Sequence, residues 1–106
     1  MPDTCCTILT TAGGQEEADR LACLLVERRL AACVQAVPMR STYRWKGDVQ
    51  QEAEILLLVK TRADLYAQVE AAILANHCYE VPEILLVPVE RGFENYLDWI
   101  SECAAH

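Results

Sequence analysis

The longest patterned stretch of the sequence runs from Cys33 to Thr61 and predicts a β-hairpin. Lys46-Gly47-Asp48 near its middle has turn chemistry, since glycine takes a positive φ at little cost and aspartate suits turns. Tyr43 and Trp45 are two positions apart and therefore share a face of the first strand. After the turn, the second strand is mostly polar until Ile55 to Val59, an unbroken apolar run that is typical of a strand covered on both faces.

The length of the second strand predicts that it reaches beyond its own core. Val49 to Thr61 spans roughly 43 Å at ~3.3 Å per residue, whereas a compact chain of this size has a radius of gyration of about 13 Å. The polar half would then present an open edge that invites another chain. We infer a hairpin arm that pairs between subunits. The alternative is a bulged or bent hairpin folded back on one domain, and the pattern leaves both open.

The sequence before the hairpin predicts a strand followed by a helix. Cys5 to Thr11 is apolar and β-branched, and Ala12-Gly13-Gly14 ends it. Gln15 to Arg29 carries apolar residues at helical spacing, with two glutamates in its first turn and two arginines in its last, as the helix dipole favours. A strand, two glycines and a helix start also occur in phosphate-binding loops. This loop has no Lys or Arg and two acids where the anion would sit, so we interpret it as a plain turn.

The sequence after the hairpin predicts helix, strand and helix. Thr61-x-x-Asp64 resembles a capping box, and the helix that follows ends near Asn76-His77. Ile84 to Val87 is a short buried strand, and the last helix has an apolar stripe of Phe93, Tyr96, Leu97 and Ile100. The order β-α-β-β-α-β-α predicts one α+β domain over residues 1–106. It is a ferredoxin-like βαββαβ sandwich, an antiparallel sheet with helices on one face, plus a C-terminal helix.

Composition and charge restrict the kinds of partner that the chain can bind. The chain has 106 residues, 53% of them hydrophobic, and a formal net charge of −7, which argues against nucleic acid and against an anionic membrane. No apolar run approaches the ~20 residues that a membrane span needs. Met1-Pro2-Asp3-Thr4 is unlike a secretory signal. The six cysteines include no Cys-x-x-Cys pair. We predict a cytoplasmic protein without a disulfide framework.

The polar loop from His77 to Glu83 carries the candidate site. We predict that His77, Cys78 and Glu83 bind a metal ion, since imidazole, thiolate and carboxylate together suit first-row transition metals, copper above all. The alternative is that His77 caps its helix and Cys78 fills space. Glu83 could also form a structural ion pair with Lys60. Nothing marks a nucleophile or a substrate pocket, so no catalytic residue is predicted.

Five blocks of the sequence are specific when taken together. They are L-A-A-C-V (Leu30 to Val34), S-T-Y-R-W-K-G (Ser41 to Gly47), L-V-K-T (Leu58 to Thr61), H-C-Y-E-V-P-E-I (His77 to Ile84) and G-F-E-N-Y-L-D-W-I (Gly92 to Ile100). In these blocks the chain resembles the CutA family of divalent-cation tolerance proteins. The resemblance implies a ferredoxin-like fold and a homotrimer in which long hairpins pair between subunits. It also implies a link to copper and other divalent cations. Cys78 stands where the family usually has Pro. Thr10 and Asn76 stand where some copper-linked relatives have Cys and His.

Three functions follow from these observations. The first is a non-enzymatic homotrimer involved in the response to divalent metal ions, with copper as a possible ligand and no essential cofactor. The second is a trimeric regulator like the PII proteins, which would bind a small molecule in clefts between subunits. The third, an acylphosphatase-like enzyme, would need an Arg-bearing phosphate cradle after the first strand, and Ala12-Gly13-Gly14 offers none.

Overall fold

The computed structural model describes residues 4–104, which form one four-stranded sheet and three α-helices. The strands are β1 (Cys5–Ala12), β2 (Cys33–Trp45), β3 (Asp48–Arg62) and β4 (Ile84–Pro88). The helices are α1 (Gln15–Glu27), α2 (Tyr66–Asn76) and α3 (Glu94–Cys103). This order confirms the predicted β-α-β-β-α-β-α. No helix among these residues is long and apolar enough to cross a bilayer. The first three residues, on which the signal-peptide argument rested, lie outside the described range.

The sheet has the strand order β2-β3-β1-β4, and every neighbouring pair is antiparallel. This is the predicted ferredoxin-like arrangement. Alternate residues of the two central strands, among them Ile8, Leu57 and Val59, point to one face and are fully buried. The apolar stripes of α1 and α2 pack on the same face and complete the core, with Leu21, Leu25, Val69 and Ile73 as their largest buried members.

The third helix does not share that face, which corrects the prediction that all helices lie on one side. The Cys5 thiol, which alternation places opposite the core residue Cys6, lies 3.5 Å from the Leu97 carbonyl oxygen and donates to it. The Lys60 ammonium lies 6.0 Å from the Tyr96 ring centroid. Helix α3 therefore contacts one end of the opposite face and leaves the rest of that face open.

The hairpin formed by β2 and β3 extends beyond the sheet as predicted. Its register is continuous from Cys33 opposite Lys60 to Trp45 opposite Asp48, so the bulged alternative is wrong. β1 pairs with β3 only from Ile55 onward, and the hairpin tip is a free two-stranded arm. The molecule measures 46 × 25 × 21 Å. The two turn residues, Lys46 and Gly47, have φ of 51° and 88°, the combination found in type I′ hairpin turns.

Three local predictions were wrong. β4 was predicted as a buried strand, but it lies at the edge of the sheet, and Leu85, Leu86 and Val87 are exposed in the single chain. α1 ends at Glu27, not Arg29, because Arg29 adopts a φ of 60° and the following N–H groups of Leu30 and Ala31 turn back to Leu25. The capping box at Thr61 does not form. The Thr61 hydroxyl instead donates a 2.7 Å hydrogen bond to the Leu30 carbonyl, and a short 3₁₀ turn, Ala63–Leu65, leads into α2.

Candidate functional site

His77 is a structural anchor at the end of α2. Its side chain is only 1% exposed, and both ring nitrogens have backbone partners. Nδ1 accepts a 3.0 Å hydrogen bond from the Tyr79 N–H. Nε2 must then carry the ring proton and donate it to the Thr11 carbonyl oxygen. The ring therefore joins the 77–83 loop to the end of β1, and neither nitrogen is available to a metal without losing one of these bonds.

Cys78 is paired with Glu17, a residue that the sequence did not single out. The Glu17 carboxylate oxygen Oε2 accepts hydrogen bonds from the Cys78 thiol at 2.6 Å and from the Cys78 N–H at 3.1 Å. The His77 Nδ1 atom lies 3.8 Å from the same oxygen. The hydrogen bond to Glu17 raises the pKa of the exposed Cys78 thiol above its usual value. The Cys78 thiol and the Glu17 carboxylate are thus in direct contact, and the carboxylate that contacts Cys78 is Glu17 and not the predicted Glu83.

The same carboxylate fills the glycine loop after β1. Its second oxygen, Oε1, accepts a 3.1 Å hydrogen bond from the Gly13 N–H. A phosphate-binding loop needs such N–H groups free for the anion. Here the protein's own acid takes that place, which agrees with the interpretation of the loop as a plain turn. The loop therefore lacks the phosphate cradle that an acylphosphatase-like enzyme would need after the first strand.

Tyr79 and Glu54 form the wall between the loop and the hairpin. The Tyr79 hydroxyl donates a 2.8 Å hydrogen bond to Glu54 Oε2, and Glu54 is only 8% exposed. Burial, together with this carboxylate, raises the pKa of Tyr79 far above its usual value, so the hydroxyl stays a donor. A Cβ atom at Gly13 would lie 3.3 Å from the Tyr79 hydroxyl oxygen, so Tyr79 would have to move by a few tenths of an ångström to accommodate it.

Between the 77–83 loop and the hairpin arm lies an open cavity of about 570 Å³, here called the acidic groove. Its lining includes four carboxylates and no Lys, Arg or His of the described residues. The lining residues are Thr11, Tyr43, Trp45, Gln50, Glu52, Glu54, Cys78, Tyr79, Glu80, Val81 and Glu83. Of the three predicted metal ligands, Cys78 and Glu83 face this groove and His77 does not.

The predicted ligands do not form a complete metal site within one chain. Within residues 4–104, no three His, Cys, Asp or Glu side chains are grouped as a ready metal cluster. Asn76 donates its side-chain N–H to the Ala72 carbonyl, and Thr10 is fully buried. Of the donor types that suit a transition metal, the structure offers the thiol–carboxylate pair of Cys78 and Glu17.

Comparison with known proteins agrees with this fold. Residues 6–103 match the model of the family described as CutA1 divalent ion tolerance protein. The chain belongs to the CutA1 family. The divalent-cation tolerance protein CutA of Archaeoglobus fulgidus is 42% identical over 95 residues, covering 90% of this chain and 93% of that protein. The protein of the same name from Thermus thermophilus is 45% identical over 96 residues, with the same shares covered.

Solved structures of the CutA1 family superpose on the chain closely. A structure described as the periplasmic divalent cation tolerance protein CutA from Archaeoglobus fulgidus has a TM-score of 0.93 at 40% identity, covering 95% of this chain and 99% of that one. CutA1 from Oryza sativa has a TM-score of 0.92 at 37% identity, covering 95% of this chain and 94% of that one. The chain therefore has the same backbone fold as these CutA1 structures over 95% of its length.

Proposed function

We propose that this CutA1-family chain acts as a non-enzymatic homotrimer that binds divalent cations, with copper as the preferred ion. The observation that carries the metal proposal is the 2.6 Å contact between the Cys78 thiol and Glu17, with the His77 Nδ1 atom 3.8 Å from the same carboxylate oxygen. Names of relatives such as divalent-cation tolerance protein support the same ligand class.

Cys78 and Glu17 would hold the ion, and Glu83 is a further donor that lines the acidic groove together with Cys78. Thiolate favours copper in its reduced, monovalent state in particular, and among divalent ions the thiolate–carboxylate pair also suits Zn(II). His77 would join only by giving up the Tyr79 N–H, so we assign it the task of positioning the loop. Because two donors per chain do not fill the coordination shell of a metal ion, a second subunit or water must supply the remaining ligands. Because the Cys78 thiol must lose its proton and its pKa is raised, affinity should fall as pH decreases.

The test is calorimetric titration with Cu(I) under anaerobic conditions and with Zn(II). Cys78→Ser and Glu17→Gln should each weaken binding by about tenfold or more, since even loss of a residue that only orients a metal ligand typically costs about 10–100-fold. Glu83→Gln should have a smaller effect. Cys23→Ser is the matched control, since Cys23 is also an exposed free thiol. If Cys78→Ser binds both metals as the wild type does, the metal proposal is wrong. An ATP titration addresses the PII-like alternative, which the acidic lining of the groove disfavours.

The open face of the sheet supports the trimer. β4 is an edge strand, and it leaves Leu85 55% and Val87 46% exposed, while Val37 on the other edge strand is 43% exposed. By alternation from the core residues, all three lie on the face that α1 and α2 do not cover. Contiguous apolar surface of this kind marks an interaction site, and the free hairpin arm provides unpaired strand edges.

Light scattering tests the trimer directly. We expect three times the 11.9 kDa of one chain, and a melting temperature that rises with protein concentration, because unfolding is then coupled to dissociation. Leu85→Glu should dissociate the assembly. Leu74→Glu is the matched control, since Leu74 is 54% exposed on the helical side. A wild-type mass of 11.9 kDa would refute the trimer.

We propose the cytoplasm as the location, on the ground that all six cysteines are free, as a reducing compartment keeps them. Relatives differ in this respect: the Arabidopsis thaliana protein is named chloroplastic and the Archaeoglobus fulgidus structure is described as periplasmic. Fractionation of the source cells tests the proposal, and recovery outside the cytoplasm would contradict it.

A further inference from the structure

Arg20 of α1 places a fixed positive charge beside the thiol–carboxylate pair of Cys78 and Glu17. Its Nη2 atom lies 3.9 Å from Glu17 Oε2, the oxygen that accepts the hydrogen bond from the Cys78 thiol. The guanidinium is also held from outside the pair, because its Nη1 atom donates a 3.1 Å hydrogen bond to the carbonyl of Asn76, the last residue of α2. A cation is favourable there, since the C-terminus of a helix carries a partial negative charge. Arg20 therefore stays in place when Glu17 turns toward an ion.

Among the described residues, the groups around the Glu17 carboxylate sum to zero charge. Glu17 contributes one negative charge and Arg20 one positive charge. The Cys78 thiol carries its proton and donates it to Glu17. The His77 ring is neutral, because its Nδ1 atom accepts from the Tyr79 N–H. The hydrogen bond to Glu17 raises the pKa of the Cys78 thiol, and the charge of Arg20 acts against this increase, so the guanidinium influences the sulfur as well.

Metal binding at this pair exchanges the thiol proton for the ion. The S–H bond breaks, a sulfur–metal bond forms and the proton leaves to water. With Cu(I), one positive charge replaces another, so the total charge beside Arg20 does not change. With Zn(II), the pair gains one positive charge, which the guanidinium repels. Since both ions have a filled d shell, the difference that Arg20 detects between them is their charge.

We propose that Arg20 is a specificity-determining residue that favours monovalent Cu(I) over divalent Zn(II) at this pair. The inference rests on the metal site proposed for Cys78 and Glu17, and it adds the charge of the ion that this site accepts. Arg20 is no ligand and acts only through its electric field. In water, two unit charges about 4 Å apart interact with an energy that corresponds to about a fivefold change in a binding constant. Arg20 should therefore weaken Zn(II) binding about fivefold and leave Cu(I) binding unchanged.

The test is a pair of calorimetric titrations, with Cu(I) under anaerobic conditions and with Zn(II). Cys23→Ser is the background, because it removes the other exposed thiol. The ionic strength is about 0.1 M, at which charges more than ~10 Å apart are screened. Arg20→Gln should raise the Zn(II) affinity about fivefold and change the Cu(I) affinity by less than about twofold. Arg20→Lys keeps the charge and should keep the original ratio of the two affinities.

Arg28→Gln is the matched control, since it removes an exposed charge at the end of the same helix, roughly 16 Å along the axis from Glu17. Both affinities should stay unchanged in this variant. A second measurement uses salt: at about 1 M sodium perchlorate the screening length falls to ~3 Å. The gap in Zn(II) affinity between Arg20→Lys and Arg20→Gln should then shrink.

The outcomes separate the role of Arg20 from the metal site itself. A purely structural effect of Arg20→Gln would change both affinities by the same factor. That result, equal behaviour of Arg20→Lys and Arg20→Gln, or an unchanged Zn(II) affinity in Arg20→Gln would overturn the specificity role. The metal site would still stand if Cys78→Ser weakens binding. If the protein binds neither ion, the metal site is wrong and the role of Arg20 is wrong with it.

Discussion

Glu17 is the residue whose removal should most clearly reveal how the candidate site is held. Its carboxylate accepts hydrogen bonds from the N–H of Gly13 and from both the N–H and the thiol of Cys78, which is 61 positions away in the chain. Glu17→Ala removes all three at once. The loop after β1 and the 77–83 loop would then lose their common support in the first turn of α1.

The expected cost follows from the exposure of the groups. Hydrogen bonds to charged groups contribute about 1.5–3 kcal/mol each when buried. The Glu17 side chain is 11% exposed, but Gly13 and Cys78 are exposed and can bond to water after the change. We therefore expect a loss of about 2 kcal/mol in the free energy of unfolding. Glu16→Ala is the matched control, because Glu16 is an exposed acid in the same turn. Glu16→Ala should lose only the favourable interaction of the carboxylate with the helix dipole, about 0.3–1 kcal/mol in the free energy of unfolding.

The pH dependence gives a second readout of the same contact. Burial acts to raise the pKa of Glu17, but the hydrogen bonds from Cys78 and Gly13 outweigh it and hold the pKa below its usual 4.5. A group with a lowered pKa in the folded state stabilises the protein fully above its unfolded value, and this stabilisation is lost as pH falls through the folded pKa. The stability gap between wild type and Glu17→Ala should therefore shrink below pH 4.5.

Urea denaturation at one fixed protein concentration measures these differences, since assembly would make the midpoint depend on concentration. Spectra of the Cys78 and Tyr79 amides show whether the loop has moved. If Glu17→Ala and Glu16→Ala have the same free energy of unfolding, and the gap to wild type is constant with pH, the assigned role of Glu17 is refuted.

Two further predictions concern single positions. Thr10 is fully buried and its hydroxyl has no hydrogen-bond partner within the described chain, so Thr10→Val should stabilise the protein by about 1 kcal/mol in urea denaturation. Thr61→Val is the control and should destabilise the protein, because the Thr61 hydroxyl is hydrogen-bonded to the Leu30 carbonyl. An equal effect of the two substitutions would contradict the reasoning. Gly47→Ala should cost about 1 kcal/mol because Gly47 has a φ of 88°. Gly14→Ala, in an extended and open position, should cost less, and the reverse order would be inconsistent with the turn geometry.

The features that the sequence predicted are those encoded by short-range periodicity. The alternation and the apolar run around Ile55 to Val59 predicted a strand that is half arm and half core, and β1 indeed pairs only with the part from Ile55 onward. The helix predicted between Thr61 and Asn76 forms as α2, with Val69, Ala72 and Ile73 buried. Helix α3 was placed wrongly, because its periodicity gives an apolar face but does not say which side of the sheet that face meets.

The candidate site was only partly predictable, because its contacts join distant parts of the chain. Cys78 and Glu83 lie in one short loop of the sequence, and both line the acidic groove. Glu17 and Glu54 were missed, and they meet the loop across 61 and 25 positions. A local signal did exist for Glu17: an acid four residues after Gly13 in the first turn of a helix can reach back to the glycine N–H. Nothing local pointed to Glu54, whose burial depends on where Tyr79 folds over the hairpin.

The tautomer of His77 determines how the 77–83 loop is attached to the sheet. Since Nδ1 accepts from the Tyr79 N–H, Nε2 must donate to Thr11 at the end of β1. His77 therefore ties Tyr79 to the end of β1, where Glu17 binds the Gly13 N–H. This placement brings the Tyr79 hydroxyl to Glu54. The histidine that the sequence offered as a metal ligand instead sets one wall of the acidic groove. We therefore expect loss of the His77 ring to move Tyr79 and the wall of the acidic groove that Tyr79 forms.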